Sequence, residues 1–566
     1  MASTQAQLKM ALQLHQKGDL HGAEAHYSQI LSVEPNNYTA LVNVATIYLS
    51  KGEWQHAERS LKWASLTNAT NPEVFYKLGF SLQQQGKLEE AIVAYQNAIK
   101  KQDNYPAVYS QLGMIYHQQG KFEEAIGAFQ KCIALQPNSA DGYYNLGYTL
   151  QSSDRFEEAI PYYLQALKIQ PHHSPAHTNL AIAFRKQGKL SEALNSFHAA
   201  LALQSNDATL YYNYALTLYE AEQFEEAVSA YQKAISLKPD YPEARLSLAI
   251  ALLLLDNYQI GWQEYEWRFQ ANPQNYKLPI FQQWIGPQAK PQEIVLIEEQ
   301  GMGDLVQFMR YGISLQELAP VVSIAAQKKF CPLLELSGIF HKIYPLPMDA
   351  PTIPPDAQWI SLLSLPAKLG VTRENPIIKQ AYLKSDPLED QHWQNKIKAG
   401  AHFVIGLNWQ GNPETEKNEF KGRSFSLSEY APLAAMPGIQ FVSLQKGYGS
   451  EQLESCSFKD KFIECQNEIS ETWDLLATLA VIQSCDLVIT SDTSIAHFAG
   501  ALGKPTWILL KKVPDWRWGI EGENCAWYPS ARLFRQTEAG NWAQVILKVK
   551  EELHKLVNEW TIKHTQ

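Results

Sequence analysis

The chain has 566 residues, 45% hydrophobic and 19% charged, with six cysteines and a formal net charge of −10. That length exceeds one ordinary core, so roughly two to four domains are expected. The negative charge, with no Lys/Arg-rich run, excludes a general nucleic-acid binder, and the lack of an apolar run of about 18 residues excludes a transmembrane helix. From Met1 to Leu20 the chain enters an amphipathic helical pattern with no signal-peptide core, which points to a cytoplasmic protein. Cys132, Cys331, Cys456, Cys465, Cys485 and Cys525 form no CxxC pair and read as reduced thiols, mostly core.

Residues 4 to about 270 repeat with a strict period of 34, through eight units without insertion or deletion. The eighth position is always small (Ala11, Ala45, Gly79, Gly113, Gly147, Ala181, Ala215, Ala249), and so is the twentieth, from Ala23 to Gly261. Small residues at those spacings let two helices approach closely. Tyr95, Phe129, Tyr163, Phe197 and Tyr231 fill the twenty-fourth position, and Gly18, Gly52, Gly86, Gly120 and Gly188 suit helix C-caps in the intra-repeat turns. This pattern resembles the tetratricopeptide repeat, which implies a right-handed superhelix over 1–270 with a concave binding surface. Asn43, Asn145, Asn179 and Asn213 share the sixth position, expected on that concavity, where amides can grip the backbone of an extended acceptor peptide. Similar ladders occur in the repeat domains of the protein O-linked N-acetylglucosamine transferases. In the last unit Tyr258, Trp262, Tyr265 and Phe269 share one helical face. We expect this face to be buried at a domain junction, with an aromatic sugar platform as the alternative.

Residues 271–293 are rich in Pro and Gln and read as a connector. The strand-like Ile294–Ile297, the turn Glu298–Asp304 and a helical period from Leu305 open a Rossmann-like unit, followed by strands near 321–326 and 358–363. The turn is not a G-x-G-x-x-G fingerprint, so NAD is not implied. After a charged helical bridge at 385–400, a second lobe begins at Phe403–Leu407. It continues through strand-like runs at 441–444, 487–490 and 506–510, and closes with a helical stripe from Trp542 to Trp560. The expected architecture is thus an α superhelix followed by an α/β region with two Rossmann-like lobes, 294–390 and 400–566.

The strand, polar turn and helix start over Cys485–Gly503 place backbone N–H groups and a positive dipole end at a sheet's carboxyl edge, which suits a phosphate or diphosphate. Two facing lobes of this kind resemble the GT-B glycosyltransferase fold. Gly301–Asp304, Gly406–Pro413, Arg423–Ser424 and Ser491–His497 together resemble the heptosyltransferase family (glycosyltransferase family 9), in the version fused to tetratricopeptide repeats. The resemblance covers roughly 290–560. It implies that Asp304 is the catalytic base, with helix N-capping as the bland alternative. It also implies that Arg423, Asp492, Thr493, Ser494 and His497 hold the diphosphate of a nucleotide-sugar donor, and that Lys446 lies near its base or ribose. Surface charge is the plain alternative for Arg423 and Lys446, and capping is that for Asp492. No metal or other cofactor is expected, because the family acts without one.

The heptose-specific positions of the family have no match here, and Pro514–Gly519, with Trp516, Arg517 and Trp518, has no simple counterpart in it. These residues line the donor cleft or close the lobe interface. The leading expectation is an inverting, metal-independent transferase that moves a sugar to a hydroxyl of a protein held by the repeats. The alternatives are transfer to a lipid-linked or polysaccharide glycan, and a non-catalytic scaffold that binds nucleotide sugar.

Overall fold

A computed structural model describes residues 4–275, 278–347, 353–400, 402–416 and 422–564. It shows a tetratricopeptide-type helical superhelix followed by an α/β region built on parallel sheets. The chain divides into two compact units, Met1–Thr217 and Leu218–Gln566.

The first unit is a run of helix pairs, beginning with Thr4–Gln16 and Leu20–Val33. Side chains cap several N-termini: Asp19 accepts from the Gly22 N–H at 2.9 Å, Asn37 from Ala40 at 3.1 Å and Ser139 from Gly142 at 3.1 Å. The small eighth position and the aromatic twenty-fourth form a pair. A Cβ on Gly79 would lie 2.6 Å from the Tyr95 ring, and one on Gly113 would lie 2.7 Å from Phe129. The glycine is therefore the space into which the ring packs, and that packing sets the distance between the helices.

The intra-repeat turn keeps one conformation whatever residue occupies it. Gly18, Gly52, Gly86, Gly120 and Gly188 have φ between +72° and +81°, and Asp154 holds φ +60° at the equivalent position. A left-handed conformation strains a side-chain-bearing residue. Asp154→Gly is therefore expected to stabilise the repeats by about 0.5–1 kcal/mol, seen as a higher denaturant midpoint by circular dichroism. An unchanged or lower midpoint would show that the turn carries no such strain.

The second unit starts inside the seventh repeat and holds the last helix of that repeat, Phe224–Leu237, and the two of the eighth, Pro242–Leu254 and Tyr258–Tyr265. The aromatic face is buried, with Tyr258, Trp262 and Tyr265 each at most 5% exposed. The Trp262 indole donates to the Val371 carbonyl at 2.9 Å, and its ring meets Trp516 edge-on at 5.1 Å. The Tyr258, Trp262 and Tyr265 part of the face is a junction and not a sugar platform, because these rings are packed against the chain that follows. Next to it Arg268, 1% exposed, forms a two-pronged bond to Glu299 at 2.9 Å on both arms.

Strands β1 (Glu293–Ile297), β2 (Val321–Gln327), β3 (Lys342–Leu346) and β4 (Gln358–Ser361) form a parallel sheet in the order β3-β2-β1-β4. Strands β5 (Phe403–Asn408), β6 (Ile439–Ser443), β7 (Leu487–Ser491), β8 (Thr506–Leu510) and β9 (Ala531–Arg535) form a second, in the order β6-β5-β7-β8-β9. The central strands are buried along their whole length, as parallel strands covered on both faces must be. Part of the connector joins the first sheet: Trp284, fully buried, donates its backbone N–H to the Trp359 carbonyl at 2.7 Å, and Trp359 returns a bond to Gln282 at 2.9 Å. The closing helix Trp542–His564 lays Val545, Ile546, Val549 and Leu553 on the second sheet. All six cysteines are free thiols, and no described helix is long and apolar enough to cross a membrane.

Candidate active site

In open parallel sheets ligands sit at the carboxyl edge, where strand order reverses. The first sheet reverses at β1, which has β2 on one side and β4 on the other. The second reverses at β5, between β6 and β7. The loops that leave these points carry the predicted motifs, and the structure brings them together. Gly303, in the first turn of the Met302–Met309 helix, lies against the first turn of the Ser494–Ala501 helix. A Cβ on Gly303 would stand 2.8 Å from His497 Cδ2 and 3.7 Å from Ser494 Cα. Two helix N-termini, each carrying about half a positive charge, therefore face one spot.

Asp304 does not cap its helix from the N-cap position. It sits at the third helical position, and its Oδ2 accepts the Gly301 N–H at 3.2 Å. Its Oδ1 is ion-paired with the Arg517 guanidinium, and the two side chains are 18% and 9% exposed. Burial raises the Asp304 carboxyl above its usual range. Arg517 and the Gly301 N–H oppose that shift, and Asp515 and Glu299 add to it. Just before this helix Gln300 holds φ +60°, a strained non-glycine conformation of the kind that gathers at functional sites.

Arg517 also bonds Asp515 Oδ1 through Nη1 at 2.9 Å and Gln307 Oε1 through Nε at 2.7 Å. On the facing side the Arg423 guanidinium donates to the Asp492 carbonyl at 3.0 Å and to Glu416 at 3.1 Å, so it stands beside the β7 turn. A Cβ on Gly411 would fall 2.5 Å from Arg423 Nη2, so the glycine makes room for this group. The Asp492 carboxyl is raised to about 6 by burial and then by the Asp515 charge, against the pull of Arg423, Trp518 and Arg517. Lys511, following β8, is depressed by burial while Asp492 and Asp515 raise it.

Some predicted roles change. Asp492 is not the helix cap: Thr493 holds that position, and its hydroxyl turns to Asn408 Oδ1 at 2.8 Å instead of capping. The N–H groups of the first turn, beginning at Ser494, are thus left without a side-chain cap. The His497 Nδ1 is bonded to the Tyr528 hydroxyl at 2.9 Å, its ring stacks on Trp518 at 5.5 Å, and burial with Arg517, Arg310 and Arg423 nearby depresses it well below its ordinary value. Lys446 is no surface charge. Its ammonium donates to the Ile469 and Thr472 carbonyls at the end of the Gln466–Glu471 helix, and burial lowers it to about 8. Residues 417–421, ahead of Arg423, lie outside the described residues.

Sequence reasoning did not single out the groups that join the loops. Gln445 Oε1 accepts from Asn408 Nδ2 and from the Trp409 and Gln410 N–H groups at 2.9–3.1 Å, tying the β5 and β6 loops together. Arg310, fully buried, donates to the Ile378 and Trp527 carbonyls and lies over the Tyr528 ring. The only sequence signal for Arg517 and Asp515 was their place in the unmatched Pro514–Gly519 segment.

In the repeats the asparagine amides are partly engaged. Asn43 and Asn213 donate to their own helices, to the Thr39 and Thr209 carbonyls at 2.8 and 3.0 Å, and Asn179 reaches the Tyr144 hydroxyl at 3.2 Å. All four, including Asn145, are half-buried. Among the described residues no three His, Cys, Asp or Glu side chains form a metal-binding group.

Comparison with known proteins bears on the repeats. Families described as tetratricopeptide or TPR repeat match residues 81–120, 104–172, 138–206, 178–242 and 212–259. Protein FlbA of Caulobacter vibrioides is 27% identical over 339 residues, 56% of this chain and 55% of that protein, so the match spans about half of each. Among solved structures, MamA is 28% identical over 30% of this chain and 92% of its own, with a TM-score of 0.29. YrrB, titled a TPR protein with an unusual peptide-binding site, is 24% identical over 34% and 98%, with a TM-score of 0.31. Residues 81–259 are therefore an array of tetratricopeptide repeats.

Proposed function

We propose that this protein is an inverting glycosyltransferase of the heptosyltransferase-like, GT-B kind. It takes its sugar from a nucleotide-diphosphate donor and its acceptor from a protein or peptide bound by the repeats. The observation that carries this reading is the convergence of Asp304 with the Ser494 helix N-terminus, Arg423 and Arg517 at the carboxyl edges of two parallel sheets. In the reaction Asp304 takes the proton of an acceptor hydroxyl as its oxygen bonds to the anomeric carbon. The bond from that carbon to the diphosphate breaks, and its electron pair leaves on the phosphate. The helix N-terminus offsets only about 0.3–2 kcal/mol of the leaving charge, so the arginines carry most of that task.

One observation favours a second reading, a scaffold that binds nucleotide sugar without transfer: the Asp304 carboxylate is already ion-paired with Arg517. Titrating the full chain with UDP-, GDP-, ADP- and dTDP-sugars, while following nucleoside diphosphate release, separates the two. Binding with release supports the transferase, and binding without release on any acceptor supports the scaffold. If no donor binds, both readings fall.

A further inference from the structure

The anion site of this fold is filled by the chain's own carboxylates, and this rests on the transferase reading above. Arg423, Lys511 and Arg517 meet Glu416, Asp492, Asp515 and Asp304 around the two helix N-termini. Arg517 divides its guanidinium three ways: Nε to Gln307, Nη1 to Asp515 and Nη2 to Asp304. The first two partners hold the side chain whether or not the third is kept. Asp304, in turn, has one oxygen on the Gly301 N–H and the other on Arg517. Arg517 and the Gly301 N–H stabilise the ionised form, so while they hold it Asp304 is a weaker base than its burial alone would make it. A Cβ on Gly303, the neighbour of Asp304, would stand 3.7 Å from Ser494 Cα, and the Arg517 charge acts on both Asp492 and His497, which places Arg517 near the Ser494 turn.

We propose that Arg517 exchanges one anion for another: it holds the Asp304 carboxylate until a donor diphosphate binds at the Ser494 turn, and then transfers its Nη2 arm to that diphosphate. A diphosphate carries more charge than one carboxylate and accepts the guanidinium fork in the same geometry. The exchange frees Asp304 only when the sugar to be attacked is in place. The freed oxygen then takes the acceptor hydroxyl proton, and the guanidinium neutralises the diphosphate that leaves with the bonding pair. Arg517 thus touches the donor directly and couples donor binding to the availability of the base.

The test is a binding cycle on the full chain, by calorimetry, with UDP, GDP, ADP and dTDP and their parent nucleosides. D304N removes the competing charge and keeps the side-chain shape. It is expected to tighten the preferred nucleoside diphosphate by about 5- to 30-fold and leave the nucleoside unchanged. R517Q is expected to weaken the diphosphate by about 10- to 100-fold. In the R517Q background D304N should change nothing, whereas simple charge repulsion would still tighten binding there. If D304N leaves diphosphate affinity unchanged or weaker in the presence of Arg517, or still tightens it in the R517Q background, the exchange is overturned while the transferase reading stands. If the unaltered chain binds no nucleoside diphosphate, both are overturned. Should R517Q fail to fold, R517M takes its place in the cycle with the same two outcomes, and an unchanged or weaker affinity of D304N alone still overturns the exchange.

Discussion

Replacing Arg268 by alanine is expected to destabilise the Leu218–Gln566 unit by about 3–5 kcal/mol, the range for removing one partner of a buried ion pair. Arg268 and Glu299 are 1% and 4% exposed, and the guanidinium also serves the Tyr265 carbonyl, Glu266 and Ser364 at 2.8–3.1 Å. Without it, Glu299 would keep only the Ser361 hydroxyl and the Leu363 N–H, and its charge would lack a buried counter-ion. Glu299→Gln should cost less, since an amide retains an acceptor. The double variant should cost clearly less than the sum of its parts, because each single change leaves the other group stranded. Urea unfolding followed by tryptophan fluorescence measures all three. A loss below about 1 kcal/mol for Arg268→Ala would mean that water replaces the pair, contrary to its burial.

Asp304→Asn is expected to lower turnover by about 100- to 10,000-fold, the range for removing a positioned general base. The fold should survive, because asparagine keeps an acceptor for the Gly301 N–H. The pH profile carries a second signature. Burial, with Asp515 and Glu299 nearby, raises the Asp304 carboxyl even against Arg517. The base works ionised, so activity should fall, as pH drops, at a pH above the ordinary aspartate range. If the Arg517 arm leaves Asp304 when donor binds, one lowering influence goes with it. The acid limb of kcat should then lie higher than that of kcat/KM. Turnover within about threefold of the unaltered chain for Asp304→Asn would remove Asp304 from the base role, on the scale that a base contributes.

The repeats were legible because one packing contact recurs: a glycine or alanine at position eight makes space for the ring at position twenty-four, and a period of 34 follows from that geometry. The central strands were legible as apolar runs, which parallel strands need when both faces are covered. The two strands not foreseen are both edge strands. In β3 Pro345 argues against a strand, and β9 interrupts its apolar residues with Arg532 and Arg535. At the site, the strand–turn–helix motifs marked which loops meet, because each follows an apolar strand of a parallel sheet. They did not show which side chains remain available. The partner of Asp304 lies 213 residues away, and the partners of His497 and Lys446 lie 31 and 23 residues away, with no periodicity linking any pair. Tertiary neighbours had already claimed the groups that the local pattern offered to a ligand.

The division after Thr217 places the last repeats with the loops of the candidate site. Glu222 pairs with Lys512 at 2.7 Å, Trp262 meets Trp516, and Arg268 grips the turn that leads to Asp304. Division after Thr217 keeps all of these contacts within one unit, whereas division at the visible end of the array would separate them. A graft made at residue 217 should leave the buried Arg268–Glu299 pair intact. A graft made at 270 would bring in a foreign residue in place of Arg268 and leave Glu299 buried without its cation.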